Sequence, residues 1–247
     1  MRWRSVLTGA ILLISSNIGA QDLDLNSQSD AFFRTKVDPL AKMLPLIMGG
    51  FFSGDVDFLN LGQFRLSVHD ALNLPSDELA VGPMENVTQI NLPIFYAALG
   101  VDPRAELSGK FAIGNIGNRS VIITGYGIRY MIFSDESGDN AVAFGAMINA
   151  LRGPEDFRLW DMTVQFEYLK LWKSRSMKAS LGADFSDMRI AVEAGKNLLI
   201  AKKENIERTK IWIGLGLVQN FGSAPFLFLQ IQQEDARRIN FGLGMRF

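Results

Sequence analysis

Ser67, His69 and Asp70 come closest to a catalytic constellation in this 247-residue sequence. Positions i and i+2 of a strand share a face, so Ser67 and His69 can point the same way. A Ser–His pair is the start of nucleophilic chemistry, with the imidazole taking the hydroxyl proton. It also needs a positioned third group and an oxyanion hole. Nothing in the sequence marks either, and a polar interior histidine accounts for His69 more simply. No enzymatic activity is therefore expected. The chain has one His and no Cys, which leaves scattered carboxylates and no metal-ligand cluster. Gly214-Leu-Gly216 and Gly242-Leu-Gly244 are not followed by a helix signal, so they do not read as phosphate loops, and no cofactor is implied.

The other polar residues are informative through their spacing. In 158–172, Trp160, Met162, Val164, Phe166 and Tyr168 alternate with Asp161, Thr163, Gln165 and Glu167. Strict alternation makes a strand with one apolar and one polar face. Aromatics at both ends of an apolar face about nine residues long fit the girdles and span of a membrane-crossing strand. The same period recurs in 62–70, 90–99, 104–113, 120–133, 177–185, 188–194, 210–218, 226–233 and the last nine residues. Ser186-Asp187 is read as a two-residue turn, with a bulged continuous strand as the alternative. Residues 201–209 read as a charged loop, and Ala-rich 141–151 as either a helix or a weak strand.

These elements predict an all-β chain: an antiparallel transmembrane β-barrel of about ten strands, or twelve if 141–151 and one weaker segment count. Even numbers are the rule for bacterial single-chain barrels. The faces then assign Arg65, His69, Arg104, Glu106, Lys110, Arg129, Asp161 and Glu167 to the lumen, along with Lys178, Asp184, Glu193, Arg238 and Arg246. Their signs are mixed, whereas a simple ion-selective pore needs a bias of sign at its constriction.

Before the strands, Arg2, Arg4 and the apolar run 6–14 predict a secretory signal peptide over 1–20. Residues 21–60 form a flexible segment ending in a candidate plug at 38–60, short helix then loop, with Leu40, Leu44, Ile47, Phe51 and Phe52 as its apolar residues. The barrel occupies 61–247. Beyond residue 20 no run of 18 apolar residues suggests a transmembrane helix. Charge is nearly balanced, 25 basic against 26 acidic, so nucleic acid is not an expected partner.

The final residues resemble the C-terminal assembly signal of bacterial outer-membrane barrels. Phe247 ends the chain, Phe241, Leu243 and Met245 alternate before it, and Gly242 stands near the end. The resemblance implies the bacterial outer membrane as location, its lipid as surroundings and the barrel-assembly machinery as partner. The mature chain also resembles a poorly characterised family related to the long-chain fatty-acid transporter group. That likeness rests on Leu44-Pro45 to Gly62, His69 in the first strand, Gly100–Pro103, Gly125-x-Gly127, Tyr168-Leu-Lys-Leu and Gly214-Leu-Gly216. It implies binding or passage of small hydrophobic molecules, with 38–60 as the hatch. Two alternatives stand beside it: a structural or adhesion barrel with a closed, salt-bridged core, and a periplasmic lipid-binding β protein.

Overall fold

The computed structural model describes residues 41–42, 44–45, 48, 57–74, 90–116, 119–153, 157–192, 202–222, 224–233 and 237–247. Within them, ten antiparallel strands form one closed barrel: β1 Phe64–Leu74, β2 Ile90–Asp102, β3 Ala105–Ile116, β4 Arg119–Ser134, β5 Asn140–Arg152, β6 Phe157–Leu171, β7 Arg175–Val192, β8 Lys202–Asn220, β9 Pro225–Gln233 and β10 Arg237–Arg246. Each strand pairs with its sequence neighbours, and β1 pairs with β10. At that seam Phe64 N–H donates to Phe247 O (3.1 Å) and Phe247 N–H to Phe64 O (2.8 Å), with the two rings stacked at 4.7 Å. Closure leaves no sheet edge along the seam, which is what allows a sheet to cross lipid.

The alternation sets the two faces. Leu66, Phe95, Phe111, Tyr126, Ile148, Phe166, Leu181, Ile213, Leu229 and Phe241 face outward and are exposed, while the residues between them are buried. A wall that is apolar outside, with Trp160, Tyr168, Trp172 and Phe247 exposed toward its ends, is the outer face of a transmembrane barrel. A soluble periplasmic β protein would place these side chains in water, so that alternative falls. From Ile206 in β8, paired residues run Met188, Leu159, Leu151, Ile123, Ala112, Ile94, His69, Gly242, Phe228 and back to Val218 in β8. The path returns about twelve residues from its start, a stagger that tilts ten strands by about 40°.

Three sequence expectations are corrected. Residues 186–187 are not a turn: β7 runs unbroken through them, paired on both sides without a bulge. The apolar pattern changes side there because the strand changes surroundings. Phe185 faces lipid, whereas Met188 and Ile190 face inward and are buried. The charged stretch 201–209 is not a loop from 202 on, since β8 pairs with β7 to its first residue. There β8 has passed the apolar band, so charge on its outer face costs nothing. Residues 141–151 are strand β5. The expected number ten holds with a different membership: β5 is added, and 177–185 and 188–194 become one strand.

Candidate functional site

Inward side chains fill the barrel in two different ways. A polar belt lies across β1, β3, β4, β6 and β7. Arg65 Nη2 meets Glu106 Oε2 at 2.9 Å, and Arg129 Nη1 reaches the same oxygen at 3.6 Å. Arg129 Nε and Lys178 Nζ hold the two oxygens of Glu167 at 2.7 and 3.1 Å, and Gln165 Nε2 donates to Glu167 Oε1 at 2.7 Å. These ions are at most 2% exposed. Charges so deeply buried must be paired and hydrogen-bonded, and the tilted register brings opposite signs together. Farther along β6, Asn149 Nδ2 donates to Asp161 Oδ2 (2.9 Å) and Thr163 Oγ1 to Asp184 Oδ1 (2.6 Å).

The pre-barrel segment is tied into this belt. Leu59 N–H donates to Glu106 Oε1 at 2.6 Å, and Arg65 Nη1 to Asp57 O at 3.0 Å. Arg129 stacks over Phe58, 4.3 Å from the ring centre. The described residues of 41–48 are helical and their Ala41, Leu44 and Met48 are buried. Lys110 donates to Met48 O, and Lys210 to Lys42 O at 3.4 Å. Of the expected plug residues, Leu44 is thus buried; Leu40, Ile47, Phe51 and Phe52 lie outside the described residues, as do 1–40.

The second filling is apolar. Ile94, Ala112, Ile123, Leu151, Leu159 and Met188 are consecutive partners along one path on the inner wall. Each is no more than 3% exposed. Val121, Leu92 and Ile190 lie beside them, also buried. This part of the lumen is the far end of the barrel, opposite the strand termini Phe64 and Phe247, which mark the termini end. Parity within each strand marks Ile94, Ala112, Ile123 and Leu159 as inward, whereas Met188 and Ile190, expected to face lipid beyond a turn at 186–187, are inward as well.

Of the expected lumen residues, Arg65, His69, Glu106, Lys110, Arg129, Asp161 and Glu167 are buried inside. Arg104 is not. It is exposed in the tight turn between β2 and β3, where Asp102 Oδ1 accepts from its backbone N–H at 2.9 Å. The alternation used to place it ends one residue later, at Ala105. Arg246 is half-buried and pairs with Asp57 at 2.8 Å. Glu193 lies outside the described residues.

Ser67 Oγ and His69 Nε2 are hydrogen-bonded at 2.7 Å. The imidazole is stacked on Tyr96 (5.7 Å) and edge-on to Phe228 (4.7 Å). Asp70 falls on the outward set of β1, on the other side of the wall from the imidazole, so the sequence neighbour cannot serve as the third group. The pair is packed among aromatic rings inside the wall. Phe228 and Phe226 in turn lie where Cβ atoms on Gly242 and Gly244 would be. These glycines of the terminal strand leave room for rings in a narrow lumen.

No protein-family model matches the sequence, and no curated relative does. Among solved structures, the chain is similar to an outer-membrane channel from Pseudomonas putida F1 (TM-score 0.47, 12% identity, covering 80% of this chain and 100% of that one). It is also similar to the N-terminal β-barrel domain of Pseudomonas aeruginosa OprF (0.37, 9%, 76% and 100%). The attachment invasion locus protein Ail of Yersinia pestis is a third (0.32, 12%, 76% and 99%). The closed ten-stranded wall and its apolar outer face themselves make the fold that of a transmembrane β-barrel.

Proposed function

We propose that this outer-membrane barrel binds small hydrophobic molecules at its far end and passes them sideways through its wall, as the sequence likeness to the fatty-acid transporter group implies. The observation that carries the reading is the apolar inner path from Ile94 to Met188. A pore for hydrophilic solutes gains nothing from such a lining, whereas a hydrophobic solute leaves water on entering it. The ion-paired belt closes the straight route along the axis. A sideways route has a physical basis between β2 and β3. Their described pairing runs only from Ile94↔Ala112 to the termini end, although both strands continue past it. Pro93, the next residue, has no N–H to give to the ladder. There the side chain of Leu92 occupies the space a Cβ on Gly114 would take, so an apolar side chain lies over the seam from inside.

The test uses the absence of native cysteine. Leu92→Cys with Gly114→Cys allows one disulfide across the seam. Cells carrying the wild-type barrel should take up a hydrophobic fluorophore such as N-phenylnaphthylamine several-fold faster than cells without it, with no gain for a sugar of similar size. The oxidised double variant should fall to background and recover on reduction. Wild-type uptake equal to that of empty cells would sink the reading. It would favour a closed structural barrel, the second reading, which the fully paired Arg65–Glu106–Arg129–Glu167–Lys178 belt supports.

A further inference from the structure

At the far end, β5, β6 and β7 carry three arginines side by side on the outer wall. Arg158 is directly opposite Arg189, and Arg152 follows Leu151, the last β5 residue paired with β6 through Leu159. All three are exposed. Directly opposed side chains have Cβ atoms about 4.5–5.5 Å apart, and like charges at that spacing repel. Among the described residues only Arg189 has a counter-charge, Asp187 at 3.4 Å, and that pair is 65% and 35% exposed. Arg152 and Arg158 make no ion pair among the described residues. Three adjacent exposed cations form a basic patch suited to an external anion.

Their height on the wall identifies the anion. Two residues below Arg158 on the same face is Trp160, 51% exposed, at the edge of the apolar band. Below it lies a depression of about 590 Å³ whose apolar walls are Ile148, Trp160, Met162 and Phe185. Asp187 and Glu207 border its other side and oppose each other across β7 and β8. The basic end is therefore the β5–β6 side. The strands and connections also orient the barrel. The longest connection, 75–89, and the extended ends of β7 and β8 are at the far end, whereas the termini end has short turns. Short turns are periplasmic and longer loops extracellular, so the arginines stand at the headgroup level of the outer leaflet.

We propose that Arg152, Arg158 and Arg189 bind the phosphate of a phosphorylated outer-leaflet lipid whose acyl chains lie along Trp160 and the depression beneath it. Guanidinium groups present planar donor pairs that match phosphate oxygens, and a Trp at this level is suited to the interface. The site is on the outer wall and is independent of what passes through the lumen.

Native mass spectrometry of the detergent-purified barrel tests it, with diphosphoryl lipid A, the same lipid A after enzymatic dephosphorylation, and inorganic phosphate as probes. Wild type should retain one diphosphoryl lipid A and hold the dephosphorylated form at least tenfold less. Arg152→Gln with Arg158→Gln should reduce retention at least tenfold, while Arg104→Gln with Arg175→Gln, a charge-matched change in exposed arginines at the opposite rim, should not. Equal retention of the two lipid forms by wild type would overturn the proposal without recourse to any variant. So would undiminished retention by the Arg152/Arg158 variant, or binding of inorganic phosphate with no lipid retained.

Discussion

The two fillings of the lumen solve the same problem with opposite chemistry. Both must exclude water from a barrel too narrow to hold a wide channel. The belt does it with ions that neutralise one another, so each member depends on specific partners at 2.6–3.6 Å. The far-end path does it with Ile94, Ile123, Leu151, Leu159 and Met188, which need neighbours of suitable shape but no particular partner. One region is therefore intolerant of change and closed. The other can exchange its contacts for those of another apolar molecule. The pre-barrel segment meets both: Leu59 N–H is held by Glu106 in the belt, while Leu44 and Met48 are buried as apolar side chains.

The sharpest break in this comparison is Glu167→Gln. It leaves Arg129 and Lys178 buried beside a neutral amide, and removing one partner of a buried ion pair costs about 3–5 kcal/mol. The expected outcome is a large drop in the urea midpoint of the refolded barrel and loss of its heat-dependent gel mobility shift at a lower temperature. A midpoint within experimental error of wild type would mean that the belt contributes little to closure.

Truncating the apolar path should cost less. Leu159→Ala removes a buried side chain with no polar dependants, and such changes cost about 2 kcal/mol at the lower end of their range where neighbours or a guest can fill the space. Adding a small apolar solute such as benzene should recover part of that loss for Leu159→Ala and none for Glu167→Gln. Equal response of the two variants would erase the distinction between the regions.

The same distinction explains what could be read from the residues. Wherever one face meets lipid and the other carries polar residues or glycines, alternation is clean, and Tyr126 to Ile132, Trp160 to Tyr168, Ile213 to Leu217 and the last strand were legible. Where the inner face is itself apolar, the contrast fades or inverts. Met188 and Ile190 then resemble the start of a new lipid-facing strand, although they are the inside of β7. In β5, Ala141 and Ala143 inside and Ala146 outside give neither face a signal. Parity located most of the belt members, but not their partners. Glu167 meeting Lys178 and Arg129, or Glu106 meeting the backbone of Leu59, follows from a tilt and register that no single strand encodes. Arg104 shows the converse error, since extending a strand by one residue changed an exposed turn residue into a lumen ion.

A carboxylate in water gives the reference for both regions. In the turn after β4, Asp135 Oδ1 accepts from Asn140 N–H and Ser137 Oγ, each at 3.1 Å, and its other oxygen from the Asn140 side-chain amide. Gly138, at φ 72°, closes the turn by donating to Asp135 O at 3.0 Å. The Asn140 side-chain amide, then its backbone N–H, hold the Asp135 carboxyl below the usual aspartate range. A lowered value in the folded state means that the contribution is complete above the ordinary aspartate value of about 4. It is lost as pH falls through the lowered one. The Asn140 backbone amide signal in micelle NMR should therefore stay fixed down to about pH 4 and shift only below it. Asp135→Asn should abolish that shift and lower the urea midpoint only slightly, because water replaces most of the lost bonds as it cannot for Glu167. A midpoint drop approaching that of Glu167→Gln would show that hydrogen bonding itself, and not burial, makes the belt indispensable.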